Sequence, residues 1–465
     1  MSAQQSSPNR FLAAPPGRVF AATALPMVAI MLMNGLLGIV DAAFLGHFVG
    51  PDAMAAVGIA FPVLMLIIAL STLVSGGMSS LYARQIGAGD RAAAGATFAR
   101  AHGLALAISI CLMVAFALLG WRFAIASSGS TGPVAHMAWT FLAISVAGTP
   151  VQFLLGIHAD SLRNEGRVGT MALMSLGVTV INIVLNYVAI AQLGLGVAGS
   201  AASSLIAQIV GLALLAGLRL RSSDVLPLSA LRDNRWTGGW KAIATLGAPV
   251  SLGFIGMAFT AAIVVAAIRL TQTDNIEATL AAYGIATRVL AFVYLPLMAI
   301  ALAMQSVVGN NVGAGLFARS NAVLRIAAIT AFVYGAVIQL LLTTQGVAIG
   351  SAFVDAPAVI GETAHVLRLM AGAWALSGPV LVLGLYFQAI GQPARAAVLT
   401  ISKPFILQPA LIVLLAIVGG AGALWFAYPL ADVVATLIAL TVLVAAIKRT
   451  VPEGGLGISP APAAP

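Results

Sequence analysis

The stretch MVAIMLMNGLLGIVDAAFLGHFV, residues 27–49, holds one carboxylate, Asp41, and one other ionisable group, His47, in an otherwise uncharged run. About 20 such residues, at 1.5 Å of helical rise each, cross the hydrocarbon core of a bilayer. The stretch therefore reads as a transmembrane helix. A carboxylate at that depth costs roughly 2.5–3.5 kcal/mol on insertion scales, so residues of this kind face a bundle interior or an aqueous cavity and handle ions or substrate. Asp41 is the leading functional candidate on this ground. Asp432, comparably deep in another apolar segment and with no evident basic partner at that depth, is a secondary candidate with a structural role.

The pattern continues along the chain. Of 465 residues, 61% are hydrophobic and 8% charged, and the mean hydropathy of +1.06 exceeds what a soluble core can use. Twelve spans can be marked, at about 19–45, 54–80, 93–120, 133–158, 168–191, 197–220, 242–270, 278–306, 321–345, 362–390, 396–418 and 424–447. The first is too long for a signal-peptide core and no small-residue cleavage site follows it, so it is retained as a membrane helix. Cys111 is the single cysteine, which excludes an intrachain disulfide. Orientation follows from the basic residues: all but Arg122, Arg269, Arg288 and Arg368 of the 22 lysines and arginines fall on one side. That side is cytoplasmic and holds both termini, and the net charge of +9 is a topology signal, not a nucleic-acid footprint.

The chain repeats itself once. Ala24-Leu25-Pro26 recurs as Gly247-Ala248-Pro249, Gly87-Ala88-Gly89 as Gly313-Ala314-Gly315, Gly166 as Gly391 and Gly199 as Gly422, at offsets of about 225 residues. The expected fold is an all-α polytopic membrane protein with twelve transmembrane helices in two pseudo-symmetric six-helix bundles. Because six is even, the copies insert the same way up, related by a pseudo-twofold along the membrane normal, with a central cleft between them. The expected divisions are a tail at 1–18, an N-lobe at 19–220, a cytoplasmic linker at 221–241, a C-lobe at 242–447 and a tail at 448–465. The Ser/Gln-rich start and Pro/Ala-rich 454–465 read as disordered.

Helical spacing gathers the polar residues. At about 100° per residue, Asn34 and Asp41 lie within about 20° of one another on one helix face. Asn182 and Asn186 are i,i+4 neighbours on the fifth span. Membrane-buried amides are satisfied by other polar groups or water, so these faces converge on Asp41 with Ser203 or Ser204, of which Ser204 is the preferred candidate. Desolvation disfavours the ionised carboxylate, so Asp41 can bind and release protons near neutral pH. The ion-coupling set is Asp41, Asn182, Asn186 and Ser204. Met33, Phe61, Met65, Phe153, Met257 and Tyr294, with Asn34, are the candidate substrate contacts, since thioethers and rings adapt to varied ligands. Gln305 and Gln388 read as helix-packing amides, and Asp160 with Arg163 as an i,i+3 interfacial pair. His365 has no ligand-spaced partners, and no metal site is expected.

The chain resembles the multidrug and toxic compound extrusion (MATE) family, nearest its prokaryotic, DNA-damage-inducible branch, from about Pro26 to Lys448. The resemblance is carried by Asn34-x6-Asp41 with Leu45-Gly46, Ala83-Arg84-Gln85-Ile86-Gly87-Ala88-Gly89, Leu162-Arg163-Asn164-Glu165-Gly166 and Asn182-Ile183-Val184-Leu185-Asn186. It continues with Gly196-Val197-Ala198-Gly199, Gly309-x3-Gly313-Ala314-Gly315 and Phe387-Gln388-Ala389-Ile390-Gly391. What the resemblance implies is a secondary antiporter of the cell inner membrane that exports amphipathic, often cationic compounds in exchange for protons or sodium, without a cofactor. Its partners would be a small-molecule substrate and membrane lipid, with no nucleic acid, and the chain would act as a monomer. Asn186 stands where related prokaryotic members carry an acid, which favours protons over sodium. Met257 and the region of Gly378 stand where other branches carry acids, which leaves the second lobe poor in titratable groups and assigns coupling to the first. A flippase for a lipid-linked precursor is the alternative transporter, but a polyanionic head group needs several mid-depth basic residues. An enzyme needs clustered His, Cys, Ser or acid pairs that the spans lack, and no Gly-x4-Gly-Lys-Ser/Thr loop is present to bind ATP.

Overall fold

A computed structural model describes residues 9–222, 225–271, 275–448, 450 and 454–458. It divides into two compact units, one of residues 1–14 and 25–254 and the other of residues 15–24 and 255–465. In chain order the first unit holds α1 (Arg10–Ala13), most of α2 (Pro16–Phe48), α3 (Pro51–Gly87), α4 (Arg91–Ser128), α5 (Pro133–Ala147) and α6 (Thr149–Asn164). It continues through α7 (Val168–Asn186), a π-helical turn at Tyr187–Gln192, α8 (Gly196–Arg221), α9 (Ser229–Asp233) and the start of α10 (Trp240–Thr271). The second unit takes the remainder of α10, then α11 (Ile276–Gly313), α12 (Phe317–Thr344), α13 (Gly346–Ser351), α14 (Pro357–Met370) and α15 (Trp374–Ala389). It ends with α16 (Pro393–Ser402), a π-helical turn at Lys403–Leu407, α17 (Gln408–Leu424) and α18 (Ala427–Lys448).

Among the described residues, ten helices are long and apolar enough to cross a membrane, and two bent pairs bring the number to twelve if each pair is one span. The pairs are α5 with α6, bent by 47°, and α14 with α15, bent by 50°. They are the fourth and tenth spans, which correspond in the repeat. Pro150 lies just past the first of these breaks, where the missing N–H and ring bulk of proline prevent a straight continuation. Pro26, Pro62 and Pro249 sit inside α2, α3 and α10.

The repeated glycines have a common backbone reason. Gly89, Gly166, Gly315 and Gly391 all take positive φ, between 72° and 83°, just past the ends of α3, α6, α11 and α15. A left-handed residue there lets the chain close the last helical turn, and only glycine does so without a Cβ clash. Each half of the sequence preserves the same turns for this reason.

The first unit is built around Val74, Met78, Tyr82, Phe98, Phe153 and Ile157. In it α3 and α10 meet backbone to backbone: a Cβ on Gly247 would collide with the Leu73 carbonyl, and one on Gly77 with that of Ile243. Small residues permit this approach where apolar burial alone gives lipid-embedded helices little reason to associate. Gly247→Ala is expected to destabilise the protein by about 1–3 kcal/mol through overpacking. Its thermal midpoint in detergent should fall below that of Gly217→Ala, whose added Cβ meets open space; equal midpoints would show that the contact yields without cost.

The expectations for the two tails are corrected, and the connector is packed. Residues 9–14 are not loose tail: Asn9 caps α1 through its side chain, and Phe11 is buried. The connector at 221–241 folds onto the first unit, with Val225, Leu226 and Ala230 buried and Trp236 against His102; residues 223–224 lie outside the described residues. The segment Gly454–Ile458 docks on the second unit, where Tyr386 donates to the Leu456 carbonyl (3.0 Å) and Gln392 to that of Gly457 (2.6 Å). Its small residues and glycine turn suit close seating against α15 and α16, which composition alone does not reveal. The other tail residues, 1–8, 449, 451–453 and 459–465, lie outside the described residues.

Candidate functional site: a buried carboxylate and amide chain

Asn186 is the last α-helical residue of α7, immediately before the π-helical turn. Such turns widen the helix by one residue and recur at functional sites. Its Nδ2 donates both to the Asp41 carboxylate on α2 and, at 3.1 Å, to Oδ1 of Asn182 one turn earlier. Asn182 in turn donates to Ser204 Oγ on α8 at 3.0 Å. Three helices thus meet through one continuous polar chain. Asn182 and Asn186 are buried while Asp41 and Ser204, at the two ends of the chain, are half-buried, so the carboxylate is open to exchange. Asn186 Oδ1 has no hydrogen-bond partner among the described residues.

The cluster contains all four residues expected to couple the ion, and it resolves the choice of serine, because Ser204 makes the contact. Asn34 lies exposed on α2 and makes none of the cluster's hydrogen bonds. Of the expected substrate contacts, Phe61 and Met257 are about half exposed, at 52% and 47%, and Met33, Met65 and Tyr294 are half-buried. Phe153 is a correction: it is 1% exposed and packed in the first unit's core. Its position at a bent span places the ring inward, where it fills space between helices and touches no open surface.

Asp432 requires a second correction. Its carboxylate does have a basic partner, Lys403, which forms an ion pair with it, and Ser377 donates to the same oxygen. Lys403 lies at the start of the second π-helical turn. Sequence position next to Arg395 suggests an interfacial lysine, yet its side chain is directed to a buried acid on α18. The second unit therefore carries a charged cluster of its own, contrary to the expectation that it is poor in titratable groups.

A network invisible to spacing arguments lies at the connector end of the first unit. Arg219 pairs with Glu165 at 3.2 Å, their side chains 0% and 4% exposed. Glu165 also accepts from Tyr82 Oη and from the Leu226 N–H at 3.1 Å. Arg219 Nη1 donates to the Leu226 carbonyl at 2.7 Å, and Nη2 donates to Ser161. From Arg219 Nε a donor chain reaches His158 Nδ1 (3.2 Å), then His158 Nε2 to His102 Nε2 (3.3 Å), then His102 Nδ1 to the Phe98 carbonyl (2.8 Å). Every link is satisfied when both imidazoles are neutral and donate in that direction. The expected Asp160–Arg163 pair (2.7 Å) and Gln305–Gln388 amide contact (2.9 Å) are both present. Cys111 is free and exposed.

An all-α polytopic membrane protein, with two units that each carry a buried polar cluster beside a π-helical turn, is the class that fold and site define. The MatE family model matches residues 26–188 and again 249–414, so each half of the chain is one copy of the family's unit. The chain belongs to the MatE family. It is 24% identical over 434 residues to the FAD transporter of Shewanella oneidensis, covering 90% of this chain and 93% of that one. It is 23% identical over 402 residues to the multidrug export protein MepA of Staphylococcus aureus, covering 86% and 88%. A solved MOP superfamily transporter from Pyrococcus furiosus shares the fold, with a TM-score of 0.88 at 23% identity over 96% of this chain and 100% of that one.

Proposed function

We propose that the protein is a secondary active antiporter of the cytoplasmic membrane, exporting amphipathic, often cationic compounds in exchange for inward protons, with Asp41 as the coupling carboxylate. The reading rests chiefly on the Asp41–Asn186–Asn182–Ser204 chain. Membership of a family that includes a protein named as a multidrug exporter supports the substrate class. The chain acts as a monomeric carrier, not as an enzyme.

The amide beside Asp41 serves both protonation states. Against the ionised carboxylate the Asn186 NH2 group donates, as in the present arrangement. Against the protonated acid, the Asn186 carbonyl, which has no partner here, can accept the new O–H after the amide turns over. Proton uptake therefore changes the hydrogen bonding of the residue that opens the π-helical turn, and does so without leaving a buried charge unpaired. With the basic residues on the cytoplasmic side, Asp41 lies about 10 Å from the outer end of α2 at Phe48, and Ser204 about 12 Å from that of α8 at Gly196. Protons outside then have the shorter approach. Protonation drives the cycle because the two carrier conformations hold the protonated and ionised forms with different free energies.

A hard cation favours several oxygen ligands, and one carboxylate with two amides and a hydroxyl is a weak set for sodium. Efflux of rhodamine 123, a cationic dye, from proteoliposomes is expected to persist in sodium-free buffer and to collapse with a protonophore. A strict sodium requirement under an intact proton gradient would overturn proton coupling.

A further inference from the structure

The second unit holds a charged cluster for which proton coupling at Asp41 has no use. Three helices contribute to it. Lys403 lies about 15 Å along the chain's rise from Pro393, Ser377 about 18 Å from Ala389 and Asp432 about 24 Å from Lys448, measured from helix ends on one side of the unit. In a hydrocarbon core about 30 Å thick Lys403 and Ser377 are mid-depth positions, while Asp432 lies about 8 Å from the other end of α18 at Ala427 and meets Lys403 from there.

A buried ion pair is a poor source of stability, because desolvating both partners offsets most of their attraction and apolar replacements often do as well. A pair kept at mid-depth therefore calls for another use. Exposure separates the two partners. Asp432 is 3% exposed and sealed by Lys403 and Ser377, whereas the Lys403 side chain is 26% exposed. Two of the ammonium's three N–H groups are engaged, one by Asp432 and one by Ser377 Oγ at 2.9 Å. The third remains for the open side. An ammonium does not present that side to lipid tails at this depth; it faces water or a ligand. Asp432 acts as the covered counter-ion that keeps Lys403 charged and aimed.

The π-helical turn fixes this placement. Pro404 supplies no N–H, and its carbonyl accepts from Thr260 on α10 at 2.9 Å. Phe405 stacks on Phe259 with ring centroids 5.9 Å apart. Pro404 and Phe405 thus fasten the turn to α10 and hold Lys403 in place. A partly exposed ammonium whose counter-ion is covered suits a ligand with an anionic group, and the amphipathic substrates of the export reading supply the apolar body.

We infer that Lys403, positioned by Asp432 and Ser377, is a specificity residue that recognises the carboxylate of amphipathic, zwitterionic substrates. The inference rests on the export reading above. It widens the accepted chemistry beyond plain cations.

Rhodamine 110 and its methyl ester rhodamine 123 isolate the group in question, since they differ only at the carboxylate. Affinities of both dyes are measured by fluorescence polarisation on purified full-length protein, and transport is measured in proteoliposomes. Lys403→Gln should weaken rhodamine 110 relative to rhodamine 123 by at least about tenfold. Lys403→Arg should restore most of the ratio. Because Lys403→Gln leaves Asp432 buried without its counter-ion, Lys403→Gln with Asp432→Asn provides a charge-neutral partner that should fold and show the same loss. A dye ratio unchanged in the double variant, or an equal fall for both dyes, would assign the pair to packing alone and overturn the inference. Wild-type protein that moves rhodamine 123 but shows no lysine-dependent ratio sinks this inference and leaves the export reading intact. Failure to move either dye overturns both.

Discussion

Asp41→Asn is expected to reduce uphill dye efflux to passive equilibration while the protein still reaches the membrane in normal amount. One elementary charge crossing 100 mV is worth about 2.3 kcal/mol, which sustains roughly a fifty-fold gradient for each proton exchanged. Asparagine keeps the size of the side chain and still hydrogen-bonds to Asn186, so packing of α2 against α7 survives. What it removes is the titration. The accumulation ratio should therefore fall from tens toward one, with no comparable loss of protein. Asn186→Ala should be intermediate, slowing transport by about tenfold, because it removes a hydrogen bond to a charged group but leaves the carboxyl itself. Dye efflux from energised vesicles at matched protein levels distinguishes these outcomes. Proton-dependent accumulation by Asp41→Asn at near wild-type level would remove Asp41 from the mechanism.

Glu165→Ala is expected to be the most destabilising substitution at the connector end, by about 3–5 kcal/mol, since it leaves the fully buried Arg219 without its counter-ion. The loss extends beyond the pair. Glu165 also receives Tyr82 and the Leu226 N–H, so the fixing of the connector onto α6 and α8 fails with it. Replacing both partners by methionine should recover much of the stability, because no charge then remains buried. Thermal unfolding in detergent, with limited proteolysis of the connector near Leu226, reads both effects. A single Glu165→Ala variant as stable as wild type would mean that Arg219 finds other compensation and that the pair does not secure the connector.

The architecture is legible in the sequence because lipid imposes simple rules. Apolar length marks a span, duplicated glycines mark left-handed helix ends, and charge bias marks the loops. The same rules explain the errors. Charge bias places Lys403 on the cytoplasmic side with Arg395, because a basic residue near a span end ordinarily lies at the interface. Its actual partner, Asp432, is 29 residues away, a distance no helical periodicity reveals. The repeat positions of Asn182 and Asn186 fall near Leu407 and Leu411, which suggests an apolar second unit, while the polar cluster sits one turn earlier at Lys403. Glu165 belongs to the Leu162–Gly166 stretch and Arg219 to the cytoplasmic basic residues, but pairing over 54 residues is a tertiary fact. By contrast the Asp41 cluster was readable, since Asn182 and Asn186 share a face by local spacing and a deep acid demands polar neighbours. Phe153 shows the limit of residue type: a ring in a span lines a surface or fills a core, and only packing decides which.

Export coupled to proton entry at Asp41 requires that substrate and proton compete there. Linkage requires that a ligand displacing a proton release it to solution. In weakly buffered detergent solution near neutral pH, saturating wild-type protein with rhodamine 123 should release protons in proportion to the dye bound, detected with a pH indicator. Asp41→Asn, saturated with the same dye, should release none. Equal release from Asp41→Asn, or dye binding to wild-type protein without any release, would contradict the account.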